Sequence, residues 1–272
     1  MCLAVIALDA HPRYAVIVGA NRDEYHRRPA ERAHWWRDSE GHQLLAGRDL
    51  EHEGTWLGVN RLGRWAFVTN VREPGRHDPH APSRGSLVPA ALRDADDAQR
   101  TVESLVRGSA RYNGFNLVVG QASIAAFGSN RTPDVQRLSR GVHGVSNAAL
   151  DTPWPKLVRA KSGLAAWVKR EDDDIDALFH VLADRVPAPE EALPNTGLTL
   201  ERERLLSAPF IVSADYGTRC STVLVVRRDG TVGLHERTFD ASGAPTGRTD
   251  VSFPLEDEHG LAAPIARASG AS

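Results

Sequence analysis

Apolar and polar residues alternate near both ends of the chain, and apolar residues recur at helical spacing in its middle. Residues 2–8 and 14–19 are the first two alternating runs. Asp9-Ala10-His11-Pro12-Arg13 joins them as a turn-rich connector of hairpin length. Residues 55–59 and 65–69 form a second predicted hairpin around Asn60-Arg61-Leu62-Gly63-Arg64, with Gly63 able to take a positive φ. Further strands are predicted at 115–120, 124–127, 221–226, 232–236 and 251–253.

The helical pattern predicts adjoining helices over 87–92 and 98–106, broken at Asp94, Asp96 and Asp97. Asp151-Thr152-Pro153 reads as an N-cap with proline in the first turn. Leu157, Ala160, Leu164 and Trp167 follow at helical spacing. The acidic run 171–174 opens the next helix, where it complements the dipole. Ile175, Leu178, Phe179 and Leu182 share one face of that helix. Residues 187–195 read as a loop, and 265–272 as a fraying tail. Strands at both ends with helices between them predict one or two antiparallel sheets with helices outside, a layered α+β arrangement. There is no internal repeat, so residues 1–264 are expected to form a single domain.

Composition narrows the classes. The chain has 272 residues, 41% apolar and 25% charged, as in ordinary globular proteins. A net charge of −2 gives no electrostatic case for nucleic acid or an anionic membrane surface. No apolar run has the length of a membrane span, and the N-terminus lacks a signal-peptide pattern. Two cysteines, Cys2 and Cys220, argue against a disulfide scaffold and fit a reducing cytoplasm. The expectation is a cytoplasmic protein with no membrane insertion and no nucleic-acid partner.

Candidate chemistry begins at Cys2. Removal of Met1 would give this residue both a thiol and an α-amine, which titrates at about 7.7–8.0 in peptides. A nucleophile activated by its own amine is an established form of covalent catalysis. By position alone, a cysteine in a first strand is more simply a small buried apolar residue. The polar cluster Ala20-Asn21-Arg22-Asp23-Glu24-Tyr25 changes that balance. It closes the second strand, so antiparallel pairing would bring it near Cys2. Arg22 could lower the thiol pKa, Asp23 could hold the amine, and Asn21 could donate a hydrogen bond. The plainer reading is a polar strand end with an Arg–Asp ion pair.

Other segments carry less. Glu51-His52-Glu53 and His77-Asp78-Pro79-His80 lack cysteine partners and read as solvated loop histidines, not as a metal site. No glycine-rich loop has phosphate-binding spacing, so no cofactor is expected. Ser83-Arg84-Gly85-Ser86 could bind an anion at a helix start but reads more simply as an N-cap. Trp35, Trp36, Trp56, Trp65 and Trp154 read as core or cleft walls.

A series of motifs then carries a family resemblance. Met1-Cys2, Ala20-Asn21-Arg22-Asp23-Glu24-Tyr25 and Arg28-Pro29 are followed by Gly47-Arg48-Asp49, Gly54-Thr55-Trp56-Leu57-Gly58-Val59 and Thr69-Asn70-Val71-Arg72. Later come Ser83-Arg84-Gly85, Tyr112-Asn113-Gly114-Phe115-Asn116-Leu117 and Gly144-Val145-Ser146-Asn147. Thr152-Pro153-Trp154-Pro155-Lys156 and Tyr216-Gly217-Thr218-Arg219 complete the series. In this order the chain resembles the NRDE proteins, the transport and Golgi organisation family. Departures are Glu53, where glycine is expected, and Cys220, where a hydroxyl residue is common.

That family is similar to the cysteine branch of the N-terminal nucleophile hydrolases. The resemblance implies a four-layer αββα sandwich of two antiparallel sheets flanked by helices, and attack on a linear amide after loss of Met1. It implies Cys2 as nucleophile, with Arg22 and Arg219 stabilising the thiolate or binding a substrate carboxylate and Asp23 positioning the amine. Asn70 and Asn147 both match oxyanion or amine-binding asparagines. Asn21, Trp56 and Thr69 are the candidates for substrate contact. The implied partner is a small-molecule amide. The family's association with haem mobilisation and acyl-lipid metabolism implies an alternative, a non-catalytic carrier for haem or an acyl lipid.

Overall fold

The computed structural model describes residues 3–256, so Cys2 and the tail at 265–272 lie outside the described residues. Its first hairpin joins β1 (Leu3–Leu8) to β2 (Tyr14–Tyr25). Alternation along β1 sends Ala4, Ile6 and Leu8 to one apolar cluster and Leu3, Val5 and Ala7 to another. Every residue of β1 is buried, so the strand is covered on both faces.

Two antiparallel sheets result. In one, β1 and β2 lie beside β10 (Gly141–Val145), β11 (Tyr216–Arg227), β12 (Thr231–Phe239) and β13 (Pro245–Pro254), in the order β10-β1-β2-β11-β12-β13. The other is a sequential meander. It runs through β3 (Ala30–Arg37), β4 (Gln43–Asp49), β5 (Leu57–Val59), β6 (Arg64–Asn70), β7 (Phe115–Gln121), β8 (Ile124–Ser129) and β9 (Gln136–Arg137).

Three apolar clusters define four layers. The central one holds Ile6, Val18 and Leu224 of the first sheet against Leu45, Phe67 and Val118 of the second. Outside the first sheet, Leu157, Ala160, Leu164 and Trp167 of α3 (Pro155–Lys169) pack with Leu178, Phe179 and Leu182 of α4 (Ile175–Leu182). Outside the second, Leu87, Val88 and Ala91 of α1 (Leu87–Arg93) join Ala98 and Val102 of α2 (Ala98–Arg107). The expected αββα sandwich is what these residues build. No helix among the described residues is long and apolar enough to cross a membrane.

Local rules account for several element ends. Asp97 caps α2 by accepting from the Arg100 amide, and Asp174 caps α4 by accepting from the Asp176 amide. Gly63 takes φ +74° in the turn between β5 and β6, where its amide donates to the Asn60 carbonyl. Ser83 caps only the single 3₁₀ turn Arg84–Ser86 that precedes α1.

The start of α3 differs from expectation. Trp154 is its N-cap and Pro155 opens it, with Asp151-Thr152-Pro153 outside. The Asp151 carboxylate is engaged elsewhere, accepting from the Gly144 amide, His143 and Lys161. β2 also runs to Tyr25, not to residue 19, because β11 pairs along its whole length from Tyr14↔Arg227 to Tyr25↔Tyr216. The polar cluster therefore lies within a strand. β3, β4, β10 and α5 (Leu200–Leu205) carry charged residues or glycines that mask their periodicity.

Candidate active site

Being inside a strand divides the polar cluster between two faces. Leu3 pairs with Asn21, and Asn21 pairs with Ser221 on the other side. Asn21 points to the helical layer, where its Nδ2 donates to the Leu182 and Pro209 carbonyls at 2.9 and 2.8 Å. Its Oδ1 accepts from the Ser221 hydroxyl at 2.6 Å. Both Nδ2 hydrogens are thus committed, and the amide ties β2 to the helical layer. Asp23 lies on the same face, buried, with Oδ1 accepting from the Thr218 hydroxyl at 2.7 Å.

Arg22 points the other way, between the sheets, and is 4% exposed. It therefore pairs with Asp49 at the end of β4, at 3.3 Å from Nη2, and not with its chain neighbour Asp23. Its guanidinium stacks 4.4 Å from the centre of the Trp56 ring. The Trp56 indole fits because Gly47 carries no side chain: a Cβ there would fall inside contact distance of the ring.

Asp49 is the hub that sequence reasoning left as a motif residue. It accepts from Arg28 Nε at 2.7 Å and from the Glu51 and His52 amides at 3.0 and 3.2 Å. Burial pushes its carboxyl up, but the Arg28 hydrogen bond and the Arg28 and Arg22 charges outweigh this and hold it below its usual range.

The downstream motifs meet across the two sheets. The Thr55 amide donates to the Gly85 carbonyl at 3.1 Å, and a Cβ on Gly54 would lie 2.5 Å from the Gly85 carbonyl carbon. Thr69 donates to the Ser146 carbonyl at 2.7 Å and accepts from Asn116 Nδ2 at 3.1 Å, a fully buried fastening. The Asn147 amide is also engaged: Nδ2 donates to the Asn70 carbonyl at 3.0 Å, and Oδ1 accepts from buried Lys156 at 3.1 Å. The Asn70 side chain, by contrast, makes no hydrogen bond among the described residues and lines a cavity beside Arg22 and Trp56.

Arg219 is the extra residue of a β-bulge between Thr218 and Cys220, which turns it off the regular ladder. Its Nη1 donates to the Tyr25 and His26 carbonyls at 3.1 and 2.9 Å, holding the turn after β2.

Two cavities share the Arg22–Trp56 wall. The first, of about 450 Å³, is lined also by Arg28, Asp49, Asn70 and Arg84. His52 and His77 stand at its edge, and no group of acidic, histidine or cysteine residues suited to a metal ion occurs among the described residues. The second, of about 320 Å³, is lined by Arg219, Cys220 and Glu236. Glu236 escaped sequence reasoning, although its parity with Val232 and Leu234 places it on their buried face. The structure thus brings together Arg22, Trp56 and Asn70 around one cavity, and Arg22, Trp56 and Arg219 around the other. Asn21 and Thr69 remain fastenings.

Known proteins can be set beside this geometry. Over residues 1–241 the chain matches the family model described as Transport and Golgi organisation 2. It is 34% identical to the Transport and Golgi organization protein 2 homolog of Bos taurus and 32% identical to that of Homo sapiens. Each match covers 88% of this chain and 93% of the relative. Among solved structures, a mutant conjugated bile acid hydrolase from Clostridium perfringens aligns with a TM-score of 0.53 at 9% identity. That alignment covers 94% of this chain and 92% of the other. A Caenorhabditis elegans N-acylethanolamine-hydrolyzing acid amidase ortholog aligns with a TM-score of 0.50 at 12% identity, covering 82% and 92%. At such identities the structural likeness establishes the N-terminal nucleophile hydrolase-like fold alone. Sequence similarity over nearly the whole length carries the family assignment: this chain belongs to the Transport and Golgi organisation 2 family.

Proposed function

We propose that this chain is a cysteine amidohydrolase of the N-terminal nucleophile type, cleaving a linear amide through Cys2. The observation that carries the reading is the buried Arg22. It is held by Asp49 and Trp56 at the wall of a cavity, one position along from the strand partner of Leu3. Leu3 is covalently joined to Cys2. The names of the structural neighbours, an acid amidase and a bile acid hydrolase, share hydrolysis as the activity.

After loss of Met1, the Cys2 amine takes the thiol proton, and the thiolate bonds to the amide carbonyl carbon. Arg22 favours the thiolate over the thiol. The carbonyl oxygen becomes an oxyanion, to which Asn70 Nδ2 donates. Asn70 ranks ahead of Asn147 for this role because the Asn147 amide is already engaged at both ends. As the C–N bond breaks, the leaving nitrogen takes the proton from the Cys2 ammonium, which Asp23 orients. Water then cleaves the thioester, giving a carboxylic acid and the free thiol.

An intact-mass measurement is the first test: retained Met1 blocks the amine and removes the mechanism. With Met1 absent, Cys2→Ala assayed on a panel of acyl amides is expected to lose at least about 10³-fold in kcat, and unchanged turnover rejects Cys2 as nucleophile. Asn70→Ala is expected to lose about 10²–10³-fold. The carrier reading stands second, because Arg28, Asp49 and Asn70 make the larger cavity a costly site for a porphyrin or an acyl chain. Haem titration that saturates at one equivalent with a Soret shift would reverse that order.

A further inference from the structure

The second cavity holds positive charge that nothing on its walls settles. It opens between β2, β11 and β12 on one side and β3 on the other. Arg219 makes no ion pair among the described residues: Nη1 serves only backbone carbonyls, and Nε is buried without a partner. Among the described residues Arg22 is bonded to Asp49 through Nη2 alone, and its buried Nη1 finds no partner there. Asp49 lines the first cavity but not the second, and it already receives Arg28 at 2.7 Å. The stack on Trp56 covers the face of the Arg22 guanidinium and leaves its N–H edge unsatisfied.

The acidic groups nearby do not supply the missing charge. Glu236 is buried, its oxygens accepting from the Ala33 amide at 2.7 Å and the Thr222 hydroxyl at 3.2 Å. Burial pushes its carboxyl up, towards the neutral form, and pushes the adjacent Cys220 thiol up as well. Glu31, on the rim, pairs with His34 at 3.6 Å and is balanced by Arg32 beside it. Burial, and then repulsion from Arg22, disfavour the charged form of Arg219. They outweigh the opposing influence of Cys220 and of Glu24, which lines the first cavity and makes no ion pair with Arg219. Two guanidinium groups, each with a buried N–H that makes no bond among the described residues, thus line one cavity, an arrangement that is costly unless an acceptor completes it.

We propose that this second cavity is a carboxylate-binding subsite, in which Arg22 Nη1 and Arg219 Nε receive the two oxygens of a carboxylate borne by the ligand. A carboxylate is acceptor-only and matches guanidinium edges in plane. Two in-plane acceptor oxygens on a single negative charge match the two unmade N–H groups, whereas a tetrahedral phosphate would bring further oxygens and charge for which the walls show no unmade donor. The substrate of the amidohydrolase would then carry an acid group on the far side of Trp56 from the first cavity. That last step rests on the proposed catalytic reading, but the binding itself does not.

The test is equilibrium binding, which needs no turnover. Phenylacetate titrated into the full-length protein by calorimetry, with Trp emission as a second readout, is expected to saturate at one equivalent. Arg219→Lys, which keeps the charge but lacks Nε–H, is expected to weaken binding at least tenfold. Thr246→Trp, at the exposed mouth of the cavity, is expected to abolish it without touching either arginine. Undiminished binding in both variants overturns the site, as does absence of saturable binding in the unaltered protein. Inorganic phosphate binding as tightly as phenylacetate overturns the assignment to a carboxylate. A Cys2→Ala protein that still binds phenylacetate supports the subsite whatever becomes of the catalytic reading.

Discussion

The two cavities on either side of the Arg22–Trp56 wall are built from similar residues and settle their charges differently. Around the first, Asp49 answers both Arg22 and Arg28, and Glu51 stands 4.0 Å from Arg28 and 3.6 Å from His52. Around the second, the Arg219 guanidinium answers only carbonyl oxygens, and the nearest buried carboxyl, Glu236, leans to its neutral form. A charge paired by its own chain serves architecture, whereas a buried charge left unpaired is available for a ligand. The shared arginine does both, one nitrogen on each account.

Asp49 holds the largest share of the difference between the two cavities. Asp49→Ala leaves Arg22 and Arg28 without their carboxylate and is expected to cost about 3–5 kcal/mol, read from urea unfolding. A loss below about 1 kcal/mol would mean that the first cavity is no better settled than the second. The acid side gives the same information. Asp49 has a depressed carboxyl, so its contribution is present above its ordinary value of 3.8 and is lost as pH falls through the lower folded value.

A smaller effect is expected where the wall itself is held. Gly47→Ala drives a methyl into the Trp56 indole, and overpacking of this kind costs about 1–3 kcal/mol. The displaced indole would merge the cavities and shift the Trp emission. Unchanged stability and emission would show that the indole is not what separates them.

Glu236 gives the smallest and most specific test. Its folded carboxyl is raised, so its contribution is complete below the ordinary value of 4.5 and is lost as pH rises through the folded value. Glu236→Gln, nearly isosteric, is expected to flatten that part of the stability profile, measured by denaturation at several pH values. If the variant keeps the same decline with rising pH, the charge of Glu236 is not what the cavity resists.

Much of the fold is legible along the chain because its signals are local. The β1–β2 hairpin, the turn at Gly63, and the Asp97 and Asp174 caps each follow from a few neighbouring residues. The motif series also contained Arg22 and Arg219. What was not legible depends on which face a side chain takes and on partners distant in sequence. Asn21 and Thr69 look like substrate-binding groups in a motif, yet α4, β7 and the Ser146 carbonyl consume their hydrogen bonds. Asp151 looks like a cap until β10 and α3 supply its partners.

Alternation, capping and turn chemistry act within a few residues and so prescribe a layered α+β arrangement along the chain, and the ordered motifs prescribe the family. Long-range packing, by contrast, turns Arg22 from Asp23 to Asp49, leaves the Asn70 side chain without a hydrogen bond among the described residues while engaging Asn147, and brings Arg219 and Glu236 to a second cavity. Those outcomes arise where two sheets close on one another. Burial there removes water as the alternative partner, so every charge must find a group from elsewhere in the chain or remain open to a ligand.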